Sequence, residues 1–252
     1  MIQVSPHGLW VLLLAGAAWG QAGAARPEFD VASLKPVVLD GADTYSANLG
    51  TYRNGVLQQT NTTLSECLRF AYDITSDDLV SGPDWIKNKM VRFDTLAKTV
   101  PGTPREQALL MLRSLLDDRF KLVLRREPKT MSYWALTAPG GVHKMAPAQE
   151  PAAEGGNLHI PGAIHNKHIS MLFLATLIAR FTRMPVLDQT GITGFFDVQL
   201  DWARENTQSA EPVDGLPITE AVQKQLGLKL ERRRGPVEVL VVEHAQKTPV
   251  AN

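Results

Sequence analysis

The chain has 252 residues, of which 44% are hydrophobic, and its 26 basic and 26 acidic side chains give a formal net charge of zero. This is the composition of an ordinary globular protein. A nucleic-acid surface needs a basic excess that displaces counterions from phosphates. The balanced charge therefore argues against a nucleic-acid partner and leaves open only a local basic patch.

Residues 1–25 have the pattern of a secretory signal peptide. Leu9 to Gly20 is a short apolar run without charge, and Ala22-Gly23-Ala24 fits an A-x-A cleavage motif. His7 and the α-amino group are the positive charges before this run, and an uncleaved anchor or a misassigned start is the alternative. We expect export to the periplasm or outside the cell. The run is short for a bilayer, which favours a signal peptide over a membrane span. We expect no transmembrane segment after cleavage.

The first elements after the leader are a strand, a hairpin and a helix. Phe29 to Pro36 alternates like a strand, and Asn54-Gly55 is a strong signal for a two-residue hairpin turn. Thr63 with Glu66 forms a capping box that predicts a helix. Cys67 lies on the predicted buried face of that helix, as a small hydrophobe.

A second group of elements completes the first half of the chain. Ser81 to Ile86 is predicted as a turn and Val91 to Lys98 as a strand. A helix is predicted to begin with Thr103 as its N-cap, with Pro104 as its first residue and Glu106 closing a capping box. Two further strands are expected at Phe120–Glu127 and Met131–Ala138, with Pro128-Lys129-Thr130 between them.

The same order of elements recurs after residues 141–156, which are rich in proline, alanine and glycine and are predicted to be a linker. The elements expected beyond it are a helix at Ile169–Phe181, a strand at Phe195–Trp202, a helix at Pro217–Gly227 and a terminal hairpin within Leu226–His244. We interpret the recurrence as an internal duplication.

The expected fold class is α+β, with two tandem related modules at residues 26–140 and 157–252. Each module is expected to have about two helices packed on a small, mostly antiparallel or mixed sheet. One continuous domain whose halves interleave is the alternative that the sequence leaves open.

Five ordered motifs carry a resemblance to a known family: FDVASLKP, SGPDWI with RFD, LLDDRFKL, DQTGITGFFDVQLDW and GPVEVLVVEHAQKTPVAN. From Phe29 onward the chain resembles uncharacterised exported proteins expanded in soil Acidobacteria, of the domain of unknown function 3738 type. The resemblance brings no established activity, substrate or cofactor. Related domains fused to membrane metallopeptidases imply an extracytoplasmic sensing or docking role. Arg125 stands where a histidine is common in the family, so any role of that histidine does not carry over.

Three consecutive arginines, Arg232, Arg233 and Arg234, precede a Gly-Pro pair. Successive side chains of a strand point to opposite faces, so the three cannot all converge on one ligand. We interpret them as the solvated corner of the terminal hairpin. A site for an anionic partner is the alternative.

Tryptophans are the next candidates for binding residues. Trp85 and Trp202, together with Trp134, could line a groove for sugars or peptides. Packing in the core is the favoured interpretation, because Trp134 and Trp202 lie within alternating strands.

Charged candidates are fewer. Asp188 and Asp197 could contribute to an acidic pocket, although Asp197 mirrors Asp94 and this favours a structural role. Arg119, in the LLDDRFKL motif, completes the candidate binding residues.

The sequence assigns no catalytic residue, metal or cofactor. His159, His165 and His168 are close in sequence, but no nearby carboxylate or cysteine completes a tetrahedral set. Ser65 and Ser170 are expected in the first turn of helices, where hydroxyl groups satisfy the backbone instead of acting as nucleophiles.

These observations favour a non-enzymatic exported binding or sensing module that acts on another envelope protein through sheet edges or helix faces. Two alternatives stay open. One is an extracytoplasmic hydrolase with a site between the two modules. The other is a binding protein for a small carbohydrate or cell-wall molecule. Oligomeric state is beyond the sequence.

Overall fold

A computed structural model describes residues 26–38, 47–149, 158–203 and 215–250. The described residues form four α-helices and three four-stranded sheets, an α+β architecture. The predicted signal peptide and residues 150–156 of the predicted linker lie outside them. No helix in the described ranges is both long and apolar enough to cross a membrane.

The elements of the first half alternate between sheet and helix. In chain order they are β1 (Val31–Pro36), β2 (Asn48–Arg53), β3 (Val56–Thr62), α1 (Leu64–Ala71), β4 (Val80–Ser81), β5 (Phe93–Lys98), α2 (Arg105–Phe120) and β6 (Val123–Thr137). Short 3-10 turns at Asp77–Leu79 and Asp84–Lys87 flank β4.

The second half repeats this order. Its elements are β7 (Ala146–Pro147), β8 (Leu158–Ile160), β9 (Ala163–Ile169), α3 (Met171–Thr182), β10 (Val186–Asp188), β11 (Phe196–Asp201), α4 (Ile218–Ala221) and β12 (Lys229–His244). A π-helical turn, Val222–Leu226, extends α4.

Two sheets each contain strands of one half, and a third contains strands of both; we call the first two the flanking sheets and the third the central sheet. The first flanking sheet has the strand order β1-β5-β3-β2, and the second has the order β7-β11-β9-β8. The two orders are equivalent: each strand of the second flanking sheet is six strands later in the chain than the strand at the same position in the first. The central sheet, β10-β6-β12-β4, pairs β6 with β12 antiparallel, and the short strands β10 and β4 lie parallel to β6 and β12 at its edges.

The terminal hairpin expected in the second half is wrong, and so is the separation of two strands by residues 128–130 in the first half. β6 runs without interruption through residues 128–130, and β12 runs through Gly235-Pro236. The two strands pair with each other over almost their whole length. Each half therefore contributes one long strand to a ribbon shared by both.

Pro128 and Pro236 can remain inside these strands because their nitrogens point away from the partner strand. Residues of an antiparallel pair alternate between bonding to the partner and pointing outward. Pro128 and Trp134 are an even number of residues apart on β6, so their backbone nitrogens point to the same side of the strand. Trp134 donates its N–H outward, away from β12, to Pro185 O at 2.8 Å. Proline at such an outward position removes no ladder hydrogen bond, so the turn signal in the sequence was misleading.

Of the two predicted capping boxes, one is confirmed and one is wrong. Thr63 caps α1 and Glu66 closes the box. The second helix, α2, is capped by Pro104 in extended conformation and begins one residue later than expected. Thr103 therefore stands too far from the first turn, and its hydroxyl donates instead to Val100 O at 2.8 Å.

Two hydrophobic clusters form the core, and each includes strands from both halves. Leu240 and Val242 of β12 belong to the cluster built around α1 and α2, whereas Leu136 of β6 belongs to the cluster around α3. Cys67 is fully buried in the first cluster, as expected. The long strands thus complete the core of the opposite half.

Candidate functional site

A cleft of about 400 Å³ opens where the two halves meet beside strand β10. We call it the junction cleft. Its lining comes from the segment after α1, from the start of α3, from β10 and from the two long strands: Tyr72, Asp73, Ile74, Thr75, Leu79, Arg126, Leu172, Val186, Leu187, Asp188, Gln189, Glu238 and Leu240.

One buried hydrogen bond fixes the position of β10 in this cleft. The Thr75 hydroxyl, from the first half, donates to Val186 O at 2.7 Å. Thr75 is 5% exposed and Val186 is fully buried. Strand β10 is three residues long and pairs with β6. The Thr75 hydrogen bond is a second contact that holds this wall of the cleft in place.

Charged groups at the rim of the junction cleft are bonded to one another. Arg105 Nη2 lies 2.7 Å from Asp73 Oδ1. Arg126 forms a salt bridge with Glu238, across the ribbon. The Arg126–Glu238 pair is exposed and contributes little to stability, whereas the Arg105–Asp73 pair is half-buried. Both pairs hold the direction of their side chains.

Tyr72 is the aromatic residue of the cleft and lies beneath two guanidinium groups. The Arg113 guanidinium carbon is 4.5 Å from the centroid of the Tyr72 ring, and that of Arg126 is 5.8 Å away. Burial raises the pKa of the Tyr72 hydroxyl, and the negative charge of Asp117 raises it further. The ring is therefore neutral and stacked, as a wall of the cleft.

Asp188, a predicted binding residue, lines the junction cleft. Its Oδ1 accepts hydrogen bonds from the Thr190 backbone N–H at 3.0 Å and from the Thr190 hydroxyl at 2.7 Å. Next to it, Gln189 Oε1 accepts a 2.9 Å bond from Arg233. Asp188 thus shapes the turn that follows β10, and Arg233 ties that turn to the ribbon.

A second cleft, of about 320 Å³, adjoins the first. Its lining is Asp78, Lys129, Met131, Ser132, Arg183, Met184 and Pro185. We call it the basic cleft. Asp78 and Pro185 are the chain neighbours of Leu79 and Val186 in the junction cleft, so the two clefts share this wall.

The arginine triplet lies in the middle of β12, not at a corner. Arg232, Arg233 and Arg234 are opposite Trp134, Tyr133 and Ser132 of β6. All three are exposed, and in a strand they alternate between faces. Arg233 is held by Glu231 at 2.5 Å and by Gln189, whereas Arg234 is paired in the ladder with Ser132.

The structure does not bring the remaining predicted site residues to either cleft. Trp85 packs on Phe120 at 6.5 Å between ring centroids, in the first core cluster. Trp202 packs on Phe181 at 5.3 Å, in the second cluster. The two tryptophans therefore belong to different halves, and no shared aromatic groove joins them.

Arg119 and Asp197 also have local structural surroundings. Arg119 O accepts the N–H of Val250 at 2.8 Å and its guanidinium donates to Val250 O at 3.3 Å, which fastens the C-terminal segment to α2. Asp197 lies half-buried on β11, opposite Ala146 of β7.

The histidines of β8 and β9 are engaged separately. His159 Nε2 contacts Asn166 at 3.0 Å, His165 Nε2 lies 2.8 Å from Asp201 Oδ1, and His168 stacks on Phe195. Burial lowers the pKa of His159, and the charge of Arg180 lowers it further. Within the part of the chain that the structure describes, no three ligand side chains are grouped for a metal ion.

A family model with the description "Protein of unknown function (DUF3738)" matches residues 65–245. The chain belongs to this family. The DUF3738 match begins in α1 and ends after β12, so it contains every residue that lines the two clefts. No curated protein and no solved structure matches the chain.

Several cleft residues of this DUF3738 protein were missed by sequence reasoning. Tyr72 and Lys129 are not among the candidate residues that the sequence suggests, and Lys129 is expected between two strands. Arg126 and Arg183 had no signal in the sequence, because their place beside a cleft depends on pairing between distant strands. The long ribbon was hidden by the two prolines, which suggested turns.

Proposed function

We propose that this protein is an exported, non-enzymatic binding or sensing module, and that the junction cleft receives a segment of another envelope protein. The junction cleft is the observation that carries the proposal. Its volume of about 400 Å³ is within the range of ligand-binding clefts. The sequence suggests binding through sheet edges, and the junction cleft has one: β10 is an edge strand of the central sheet and forms one wall of the cleft.

The chemistry of the junction cleft favours binding. Its lining includes the apolar side chains of Ile74, Leu172 and Leu187. Burying apolar surface of a partner there stabilises a complex by about 25 cal/mol per Å².

Export is supported by the leader pattern in the sequence. When a bacterial host secretes the protein, N-terminal sequencing should show that residues 1–25, or a leader of closely similar length, have been removed. An intact Met1 on cytoplasmic protein would refute export.

We also propose that the two halves arose by tandem duplication. The identical strand order of the two flanking sheets supports this, as does the recurrence of a hydroxyl N-cap, Thr63 in α1 and Ser170 in α3. Phe93 and Phe196 are both buried first residues of matching strands. β10 pairs with β6 and β4 pairs with β12, so each short strand joins the long strand of the other half; this supports a duplication whose halves interleave.

The binding proposal is tested by placing a charge on the apolar wall of the cleft. Leu172→Lys adds an ammonium group to the junction cleft, and Leu110→Lys makes the same change at an exposed position of α2. We expect the first variant to lose capture of a partner from envelope extracts and the second to retain it, with both melting temperatures close to that of wild type. Equal capture by both variants, or substrate turnover by the purified protein, would overturn the proposal.

A further inference from the structure

Strand β8 is a short edge strand of the second flanking sheet. It is three residues long and pairs with β9. At the turn that joins the two strands, Gly162 O accepts the Trp202 N–H at 2.9 Å, which fixes the turn to the end of β11. Farther from the turn, the side chain of His159 on β8 reaches Asn166 on β9. Because three residues form few ladder hydrogen bonds, this side-chain contact is an important part of what holds β8 on the sheet.

The directions of the hydrogen bonds around Asn166 are fixed by its buried position. Asn166 is 4% exposed, and its Oδ1 accepts the backbone N–H of His168 at 2.9 Å. Its Nδ2 group, which can only donate, therefore faces His159 Nε2 at 3.0 Å. His159 Nε2 must be the acceptor of this bond. The imidazole is thus neutral and carries its proton on Nδ1.

Protonation of His159 is incompatible with this arrangement. A protonated imidazole donates from both nitrogens, so Nε2 would face the Asn166 amino group as a second donor. Turning the Asn166 amide over would offer Oδ1 to His159, but it would bring the amino group against the His168 N–H. Either way two donors face each other at a buried side chain, and a buried donor without an acceptor costs more than the original bond contributes.

The surroundings of His159 also favour its neutral form. Its ring packs edge-to-face on Phe173 of α3, with 5.7 Å between the ring centroids. Burial lowers the pKa of His159 below its ordinary value of 6.5, and the positive charge of Arg180 on α3 lowers it further. His165 pairs with Asp201, and within the described ranges no carboxylate lies at ion-pair distance from His159. The charged or titratable side chains of the neighbouring strands β9 and β11 are His165, Lys167, His168, Asp197 and Asp201.

We propose that the hydrogen bond from Asn166 to His159 is a pH-sensitive clasp, which holds β8 on the second flanking sheet at neutral pH and releases it in acid. Release leaves β9 as the edge strand of the sheet. The clasp goes beyond the proposed function and does not depend on it, because neither residue lines the junction cleft or the basic cleft.

The direction of the pH dependence follows from the depressed pKa of His159. Once β8 is released, the imidazole is in water and regains its ordinary pKa of 6.5. The released strand therefore binds a proton more readily than the clasped strand does. The clasp stabilises β8 fully above pH 6.5, and this stabilisation is lost as the pH falls below 6.5 and through the depressed pKa of the clasped form.

Hydrogen exchange of the mature chain, measured by NMR at about pH 7.5 and about pH 5, tests the clasp. Protection factors are compared, because they correct for the effect of pH on the intrinsic exchange rate. We expect the amides of β8 to lose protection by about threefold or more at the lower pH, while those of β5 in the other half change by less than about twofold. Unchanged protection of β8, or an equal loss in β5, would overturn the proposal.

Two matched variants of the same hairpin assign the effect to one histidine. His159→Gln offers Oε1 as an acceptor for Asn166 but does not titrate, so its β8 protection should change by less than about twofold between the two pH values. His165→Gln is the control, since His165 lies on the opposite face of β9 and pairs with Asp201. We expect this control to lose β8 protection in acid as wild type does. A full loss in His159→Gln, or none in His165→Gln, would refute the clasp.

Asn166→Asp should reverse the pH dependence. A carboxylate has two acceptor oxygens, so one can keep the His168 N–H while the other accepts a proton from His159 Nε2. We expect the pKa of His159 in this variant to rise above 6.5, as NMR titration of the ring would show. The stabilisation is then present below the ordinary pKa and is lost as the pH rises through the raised value, so β8 should be better protected at about pH 5 than at about pH 7.5. Acid release of β8 in this variant as in wild type would count against the clasp.

Discussion

The Thr75→Val substitution tests whether the junction between the two halves depends on one hydrogen bond. Valine has the shape of threonine but no hydroxyl group, so the buried carbonyl of Val186 loses its 2.7 Å donor. A typical hydrogen bond contributes about 1 kcal/mol, and a buried acceptor left unsatisfied costs about 1–3 kcal/mol. We therefore expect the free energy of unfolding to fall by about 1–2 kcal/mol. For a chain of this size the melting temperature should fall by about 2–8 °C.

Thr176→Val is the matched control. The Thr176 hydroxyl donates to Leu172 O at 2.9 Å, inside α3, where that carbonyl also accepts the backbone N–H of the next turn. Its loss should change stability by less than about 0.5 kcal/mol. Urea denaturation with an unchanged m-value measures both variants. If Thr75→Val is no less stable than Thr176→Val, the junction does not depend on this bond.

Two further predictions concern buried groups near α1. Burial raises the pKa of the Cys67 thiol to about 12, so the native protein should resist alkylation at mildly alkaline pH and react only after denaturation. Mass spectrometry of the alkylated protein measures this, and rapid labelling of the native protein would contradict it. Burial raises the pKa of Glu66, but bonds from Lys89 and Thr63 outweigh it and hold the pKa below its ordinary value of 4.5. Because the folded pKa is depressed, the stabilisation is present above that value and is lost as the pH falls. The stability difference between wild type and Glu66→Gln should thus be larger at about pH 7 than at about pH 3.5, and an equal difference at both would contradict the assignment.

Local signals predicted most of the helices and the flanking strands. The hairpin at Asn54-Gly55 formed because these residues accept the positive φ values, 51° and 75°, that the two-residue turn requires. The N-cap at Thr63 is confirmed for a similar reason, since its hydroxyl satisfies the amide of Glu66 three residues away. Such signals depend on residues only a few positions apart, so they can be recognised in the sequence alone.

The candidate site was less predictable. Asp188 was expected to bind and does line the junction cleft, but Trp85, Trp202 and Arg119 lie elsewhere and pack locally. The sequence pattern predicts the arginine triplet at the corner of a hairpin, whereas the strand continues through it. Pro236 caused this error, because a proline at an outward strand position gives the same sequence pattern as a proline at a turn.

By itself, the sequence determined the α+β class, the capping of α1, the burial of Cys67 and the membership of a family. Each depends on neighbouring residues or on an ordered set of motifs. Tertiary structure alone decided that two long strands form one ribbon, that β4 and β10 attach to the opposite half, and that two clefts open beside them. The contact that holds the junction joins residues 111 positions apart. No local preference fixes such a pairing, because it stabilises the chain only after both halves have folded together.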